Sequence, residues 1–158
     1  MDRVGALAER FLRAFLRPPA GVVYAGVFLT PMAQKKLLKA FPPEHAQVWA
    51  HHMTVWHYAD GEALPELPWG KQVQLKVVRH VSSGAVQAVA VSPPTRLRPY
   101  GGRVPHITIS TAQGTAPAAS KGLFQGEWEP VAGLPAIKGR VGWVDEKGAV
   151  QLSQPRAE

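Results

Sequence analysis

The sequence contains no cysteine among its 158 residues. This absence excludes disulfide bonds, thiolate zinc sites, iron–sulfur clusters and cysteine nucleophiles. Long apolar runs are also missing, since the longest one, Gly21–Leu29, is less than half of what a bilayer-spanning helix needs. Asp2, Arg3 and Glu9 stand where a secretory signal peptide would be apolar. We therefore expect a soluble, cytoplasmic protein.

Acidic residues are few relative to basic ones. The chain has 11 Asp and Glu against 18 Lys and Arg, which gives a formal net charge of +7. Such an excess favours anionic partners, including nucleic acid, because Lys and Arg concentrate phosphates near the surface. The length fits one compact domain with a real core, and we expect a single folding unit over residues 1–158.

The first third of the sequence predicts two helices around one strand. Residues 3–17 place apolar side chains at helical spacing, and Pro18 ends this helix. Gly21–Leu29 is rich in β-branched and aromatic residues and predicts a buried strand. Thr30 followed by proline is an N-cap with a first-turn proline, so a helix should run over Pro31–Phe41. These assignments place the start of the main body, about residues 21–152, at the buried strand.

The remainder of the chain is rich in strand patterns and turn residues. The predicted strands are His51–Tyr58, Gln72–Val81, Ala85–Ser92, His106–Thr111, Gly122–Pro130 and Ile137–Val144, with a short return at Ala149–Leu152. Residues 60–70 and 93–105 are rich in proline and glycine and predict loops. Few helices and many short strands indicate an α+β fold with antiparallel sheet.

Two of the predicted strands carry the same four-residue pattern of His, apolar residue, Thr and apolar residue. It occurs at residues 52–55 and again at residues 106–109. Because side chains alternate along a strand, His52 and Thr54 face the same way, as do His106 and Thr108, while the apolar residues face the core. If the two strands are neighbours, two imidazoles and two hydroxyls converge on one cleft.

Each pattern also has a structural interpretation. A single His in a strand more often has a structural role, but a twin pattern has no packing reason to recur. His51 and His57 next to the first motif raise the possibility of a metal site. However, the period of two places both opposite to His52, and only Asp60 is a carboxylate at ligand spacing. We therefore expect no metal and no other cofactor.

The paired motif resembles the signature of the two-histidine (2H) phosphoesterase superfamily. The branch it is most similar to is the cyclic phosphodiesterase domain of tRNA ligases, because residues 24–27 (YAGV) on an early strand and residues 104–109 (VPHITI) after a loop match that domain's layout. The resemblance spans about residues 21–122. It implies a bilobal α+β fold with helices outside, in which two antiparallel sheets related by pseudo-twofold symmetry flank a central cleft. The sequence has no GxxxxGK[ST] phosphate loop, so we do not expect the kinase and ligase modules of full tRNA ligases within these residues.

The resemblance also implies an activity, namely metal-independent opening of RNA 2′,3′-cyclic phosphate ends to 2′-phosphates in RNA repair. It implies that His52 protonates the 3′ oxygen, that His106 deprotonates water, and that Thr54 and Thr108 hold the phosphate. The residue chemistry agrees with this, since an imidazole with a pKa near about 6.5 can give or take a proton at neutral pH. Threonine hydroxyls can donate hydrogen bonds to non-bridging oxygens.

Substrate contacts are expected from the second loop and from the first motif strand. Arg98 and Arg103 would contact RNA phosphates, and Tyr100 would stack on a base. Trp56, predicted on the same face as His52, would form a wall of the cleft. The structural alternatives are that the arginines solvate a loop and that Trp56 packs in the core. We expect a monomer.

Two further functions remain open at this point. One is a 2H-type hydrolase of a small cyclic nucleotide or of ADP-ribose cyclic phosphate, in which the basic loop would have no role. The other is a non-catalytic RNA-binding module, which predicts that replacing either motif histidine leaves function intact.

Overall fold

The computed structural model of the chain describes residues 18–156, and the predicted helix over residues 3–17 lies outside them. The elements are β1 (Tyr24–Leu29), α1 (Pro31–Ala40), β2 (Gln47–Val48), β3 (His52–His57), β4 (Gln72–Ser82), β5 (Val86–Ser92), β6 (His106–Thr111), β7 (Ala136–Val144) and β8 (Val150–Gln151). Short 3₁₀ turns lie at Pro19–Gly21, Tyr58–Asp60, Thr95–Leu97, Tyr100–Gly102 and Pro117–Gly122. Within residues 18–156, no helix has the length and apolar character needed to cross a bilayer.

Helix α1 forms where the sequence predicted it. The Thr30 hydroxyl accepts a hydrogen bond from the Ala33 N–H (3.1 Å), which satisfies one of the unpaired donors of the first turn. The helix ends before two consecutive prolines, and the Phe41 N–H still donates to the Leu37 carbonyl (2.9 Å). Ala33 and Leu37 form its buried face, and the helix lies against β7.

Six of the strands form a closed antiparallel barrel. The order is β1, β3, β6, β5, β4 and β7, and β7 pairs back with β1 so that Tyr24 faces Val144 and Leu29 faces Gly139. The short strands β2 and β8 pair with β6 and β7 respectively. Closure leaves none of these six strands with an entirely unpaired edge, and it gives the barrel a defined inside and outside.

The closed barrel differs from the two sheets in two lobes that the family resemblance implies. The antiparallel pairing is as predicted, but β1 uses both of its edges, one for β3 and the other for β7. A strand paired on both sides joins its neighbours into one sheet, so the strands do not separate into two. Gly26 permits this close approach, because a Cβ at that position would collide with the Met53 carbonyl oxygen.

The inside of the barrel is filled with apolar side chains from all six strands. One fully buried residue from each strand, in chain order, is Val27, Met53, Leu75, Val89, Ile107 and Val141. Burying one side chain of this kind contributes about 1.5–3 kcal/mol. The alternate residues of these strands consequently face outward, and this outer surface carries both His–Thr motifs.

The predicted strand over Gly122–Pro130 is wrong. The chain forms the 3₁₀ turn Pro117–Gly122 and then continues without regular structure. Gly126 has a φ of +82°, which interrupts an extended conformation. Phe124 packs on Ala88 and Ala90 on the outside of β5, so the segment covers the barrel surface without joining the sheet.

Candidate active site

The two motif strands are neighbours in the barrel. Met53 of β3 faces Ile107 of β6, and both side chains are fully buried inside the barrel. The residues on either side of this pair therefore point outward, and in each strand these are the His and the Thr of the motif. The sheet topology brings the two motifs together on one surface.

An irregularity at the start of β3 adds residues next to the first histidine. The Ala50 N–H donates to the Thr108 carbonyl (2.8 Å), whereas Met53, three residues later, faces Ile107, only one residue back along β6. This stretch before β3 therefore contains two residues more than the stretch of β6 that it faces. Ala50 has a φ of +53°, in the left-handed region that non-glycine residues seldom occupy. This distortion turns His51 as well as His52 toward the cleft.

A cleft of about 370 Å³ lies over the two motifs on the outside of the barrel. Its lining includes all four predicted residues, His52, Thr54, His106 and Thr108. The rest of the lining is Tyr24, Trp49, His51, His57, Pro99, Arg103, Val104, Pro117, Ala118 and Ser120. The volume is in the range of small-molecule sites.

The His52 ring is enclosed between two aromatic rings. Its centroid is 4.9 Å from that of Tyr24 and 5.5 Å from that of Phe28. Burial lowers the pKa of His52 to about 4, and the neighbouring imidazoles of His51 and His106 add to this effect. The Nδ1 atom is buried and has no hydrogen-bond partner in the described part of the chain, so Nε2 is the nitrogen available to a ligand. His52 is therefore neutral at pH 7 in the unliganded protein.

The His106 ring is oriented by a backbone carbonyl. Its Nδ1–H donates a hydrogen bond to the Val104 carbonyl oxygen at 2.8 Å. The ring centroid is 6.0 Å from that of Phe124. With the proton held on Nδ1, a neutral His106 has its lone pair on Nε2.

A second hydroxyl group lies beside one of the two motif threonines. Both threonines are partly exposed to the cleft. The Thr108 hydroxyl is 2.7 Å from the Ser120 hydroxyl, and Ser120 in turn donates to the Pro117 carbonyl at 2.8 Å. Sequence reasoning missed Ser120, because it lies on a turn outside both motifs and reaches the cleft only through tertiary folding.

The expectation that Trp56 forms a cleft wall is wrong. A bulge in β3 leaves Val55 without a partner, since Trp56 faces Ala25 while Thr54 faces Gly26. The extra residue reverses the alternation, so Trp56 is fully buried in the core and its indole N–H donates to the backbone.

The same bulge brings His57 to the cleft, although we expected it to face away from His52. The ring of His57 is nearly parallel to that of Tyr24, with centroids 6.4 Å apart, and its Nδ1 accepts a hydrogen bond from the Ala59 N–H (3.1 Å). Burial raises the pKa of Tyr24, so this phenol remains protonated. Tyr24 and His57 thus occupy the place that sequence reasoning gave to Trp56.

The residues predicted to bind substrate are divided between two hollows. Arg103 lines the cleft and forms an ion pair with Asp60 at 2.7 Å. Arg98 and Tyr100 line a neighbouring hollow of about 380 Å³, which shares Pro99 with the cleft. Arg98 is exposed, whereas Tyr100 is half-buried against the core.

Neither a metal site nor a known family identifies the cleft. Over residues 18–156, no three His, Asp or Glu side chains are grouped so that they could hold a metal ion. Comparisons of the chain with protein-family models and with curated proteins find no match.

Proposed function

We propose that this chain hydrolyses RNA 2′,3′-cyclic phosphate ends to 2′-phosphate ends, with proton transfers by His52 and His106 and without a metal ion. The observation that carries the proposal is that both imidazoles line one cleft, close enough for His106 to lower the pKa of His52. The resemblance to 2H phosphoesterases supports it through the two motifs. The overall architecture does not support the resemblance, because the strands form one closed sheet and not two lobes.

His106 is the better-prepared base of the pair. Its Nδ1–H is fixed on the Val104 carbonyl, so in the neutral ring the lone pair is on Nε2, the nitrogen that would accept a proton from water. A base oriented in this way does not need to reorganise when the water attacks phosphorus. This agrees with the role that the family resemblance implies for His106.

His52 can act as the acid only after it has gained a proton. Its pKa of about 4 keeps it neutral in the empty cleft. A phosphodiester anion beside the ring would raise that pKa, because an opposite charge at close range favours the imidazolium. The charge of the substrate thereby prepares the acid that the reaction uses.

The reaction balances with these two groups. His106 takes a proton from water as the water oxygen bonds to phosphorus, the bond between phosphorus and the 3′ oxygen breaks, and His52 gives its proton to that oxygen. Each positioned transfer contributes about 10²- to 10⁴-fold in rate. Thr54 and Thr108 line the same cleft. In the proposed reaction their hydroxyls donate hydrogen bonds to the non-bridging oxygens as charge develops on them.

A small cyclic nucleotide, such as ADP-ribose cyclic phosphate, is a second candidate substrate. It is favoured by the position of Arg98 and Tyr100, which line a separate hollow outside the cleft. For an RNA substrate, the strand would have to pass Pro99 to reach them, since Pro99 lines both hollows. Arg103, which lines the cleft, could contact either substrate.

The test is an assay in EDTA with an RNA oligonucleotide that ends in a 2′,3′-cyclic phosphate. We expect conversion to a 2′-phosphate end, with His52→Ala and His106→Ala each lowering the rate by about 100-fold or more. His45→Ala is the matched control, because His45 bonds to the Ser83 carbonyl and does not line the cleft.

Three results would contradict the proposal. These are no hydrolysis by the wild type, hydrolysis that depends on a divalent ion, and full activity in either cleft-histidine variant. RNA binding that persists in both variants without any hydrolysis would instead support a non-catalytic RNA-binding module.

A further inference from the structure

A buried hydroxyl lies directly behind Thr108, on the 3₁₀ turn Pro117–Gly122 that follows β6. Ser120 is fully buried, and its Oγ is 2.7 Å from Thr108 Oγ1 and 2.8 Å from the Pro117 carbonyl oxygen. The Thr108 hydroxyl is itself 3.3 Å from the same carbonyl. These three groups form a short hydrogen-bonded chain that ends in the cleft wall.

The direction of the protons in this chain follows from the chemistry of its members. A carbonyl oxygen only accepts, and each hydroxyl has one proton to donate. The two shortest separations are satisfied together when Ser120 donates to Pro117 and Thr108 donates to Ser120. In that arrangement the Thr108 proton points away from the cleft, and Thr108 offers only lone pairs to an incoming anion.

We propose that Ser120 is a positioning residue that converts Thr108 into a hydrogen-bond donor to the substrate phosphate. When the anion enters, the Thr108 hydroxyl turns its proton to a phosphate oxygen. Ser120 then turns its own proton from the Pro117 carbonyl to Thr108 Oγ1. Both moves are rotations of hydroxyl groups, and the role rests on the proposed function because it requires a phosphate in the cleft.

This exchange makes Thr108 a stronger donor. A hydroxyl that accepts one hydrogen bond donates the next one more strongly, because the two bonds polarise each other. The gain in strength of the Thr108 hydrogen bond is largest in the transition state, because negative charge grows there on the phosphate oxygens. Ser120 acts only through Thr108, so its removal should lower kcat more than it raises KM.

The test is a double-mutant cycle with 2′,3′-cyclic adenosine monophosphate as substrate. We expect Thr108→Val to lower kcat by about 100-fold and Ser120→Ala by about 10-fold, whereas the double variant should match Thr108→Val within about twofold. Ser120→Cys retains a hydrogen-bond donor, although a weaker one on a slightly larger side chain, and should fall between wild type and Ser120→Ala. Ser153→Ala, at an exposed serine, is the control.

The cycle separates positioning from packing. An equal loss from Ser120→Ala with and without the Thr108 hydroxyl would show a packing role and overturn the proposal, as would wild-type kcat in Ser120→Ala. A wild type that opens no cyclic phosphate would contradict the proposed function instead. The same proteins titrated with adenosine 2′-monophosphate then test Ser120 independently, since its removal must weaken binding only when Thr108 is present.

Discussion

At the scale of single residues, the environment of His52 favours the neutral imidazole. Burial withholds water from the ring, and the nearby imidazoles of His51 and His106 oppose a further positive charge. Unfolding would return His52 to an ordinary pKa of about 6.5. Between these two pKa values the unfolded chain binds more protons than the folded one, so stability must fall as the pH falls through this window.

We predict that His52 accounts for a measurable part of the acid sensitivity of the fold. Below about pH 6.5 its contribution to the free energy of unfolding declines, and at about pH 4.5 the loss is on the order of 2 kcal/mol. His52→Gln is neutral at every pH and should therefore lose less stability between pH 7 and that acidic pH. Urea unfolding of both proteins at the two pH values measures the difference.

The comparison of the two proteins cancels the titration of the groups that do not interact with His52. His80→Gln is a useful second control, because His80 contacts Gln87 and Phe41 outside the cleft. If wild type and His52→Gln lose the same stability on acidification, the lowered pKa of His52 is wrong.

The four motif residues could be predicted from the sequence because a repeated pattern identifies them without knowledge of the fold. Their convergence needs only that two strands be neighbours, and the structure makes them so. Ser120 and Tyr24 could not be predicted in the same way. Each reaches the cleft through a pairing or a turn that depends on distant residues.

At the scale of elements, β1 holds the first motif strand in place through a glycine. A side chain at Gly26 would meet the backbone of Met53 and Thr54, and a backbone clash cannot be relieved by a rotamer change. We predict that Gly26→Ala destabilises the protein by about 3 kcal/mol, because β3 must move away from β1. The midpoint of urea unfolding measures this loss.

Gly84→Ala is the matched control for that substitution. No atom lies within 4 Å of a Cβ built at Gly84, so the change should stay within about 0.5 kcal/mol. Equal stability of the two variants would mean that β1 and β3 are not as close as the barrel requires.

The elements also show where local sequence patterns stop being informative. Helix α1 was predictable because Thr30 and the following proline determine its start within the segment itself. The bulge at Val55 could not be predicted from the local sequence, because it depends on the register that β1 imposes on β3. Barrel closure pairs Tyr24 with Val144, and no local pattern reports a contact between residues so far apart in sequence.

At the scale of the whole molecule, the charge of +7 should matter most for long substrates. An oligonucleotide bound in the cleft would extend toward the hollow of Arg98 and Tyr100, because this hollow shares Pro99 with the cleft. We predict that Arg98→Ala lowers kcat/KM for a cyclic-phosphate oligonucleotide by about 3- to 10-fold, with a weaker salt dependence. Activity on the cyclic mononucleotide should remain within about twofold of wild type.

Lys35→Ala removes an exposed positive charge from α1 and controls for net charge alone. Equal effects of Lys35→Ala and Arg98→Ala on the oligonucleotide would assign the loss to overall charge. Equal kcat/KM of wild type for oligonucleotide and mononucleotide would favour the small-nucleotide candidate.

The proposed reaction requires that the imidazoles of His52 and His106 flank one phosphate. The most direct measurement is an NMR titration with adenosine 2′-monophosphate in EDTA that follows the ring nitrogens of His52, His106 and the control His45. We predict that His52 and His106 shift together with a single Kd, that the His52 pKa rises from about 4, and that His45 is unchanged. A saturating titration in which either cleft ring stays unshifted, or in which the two rings give different Kd values, would contradict the claim.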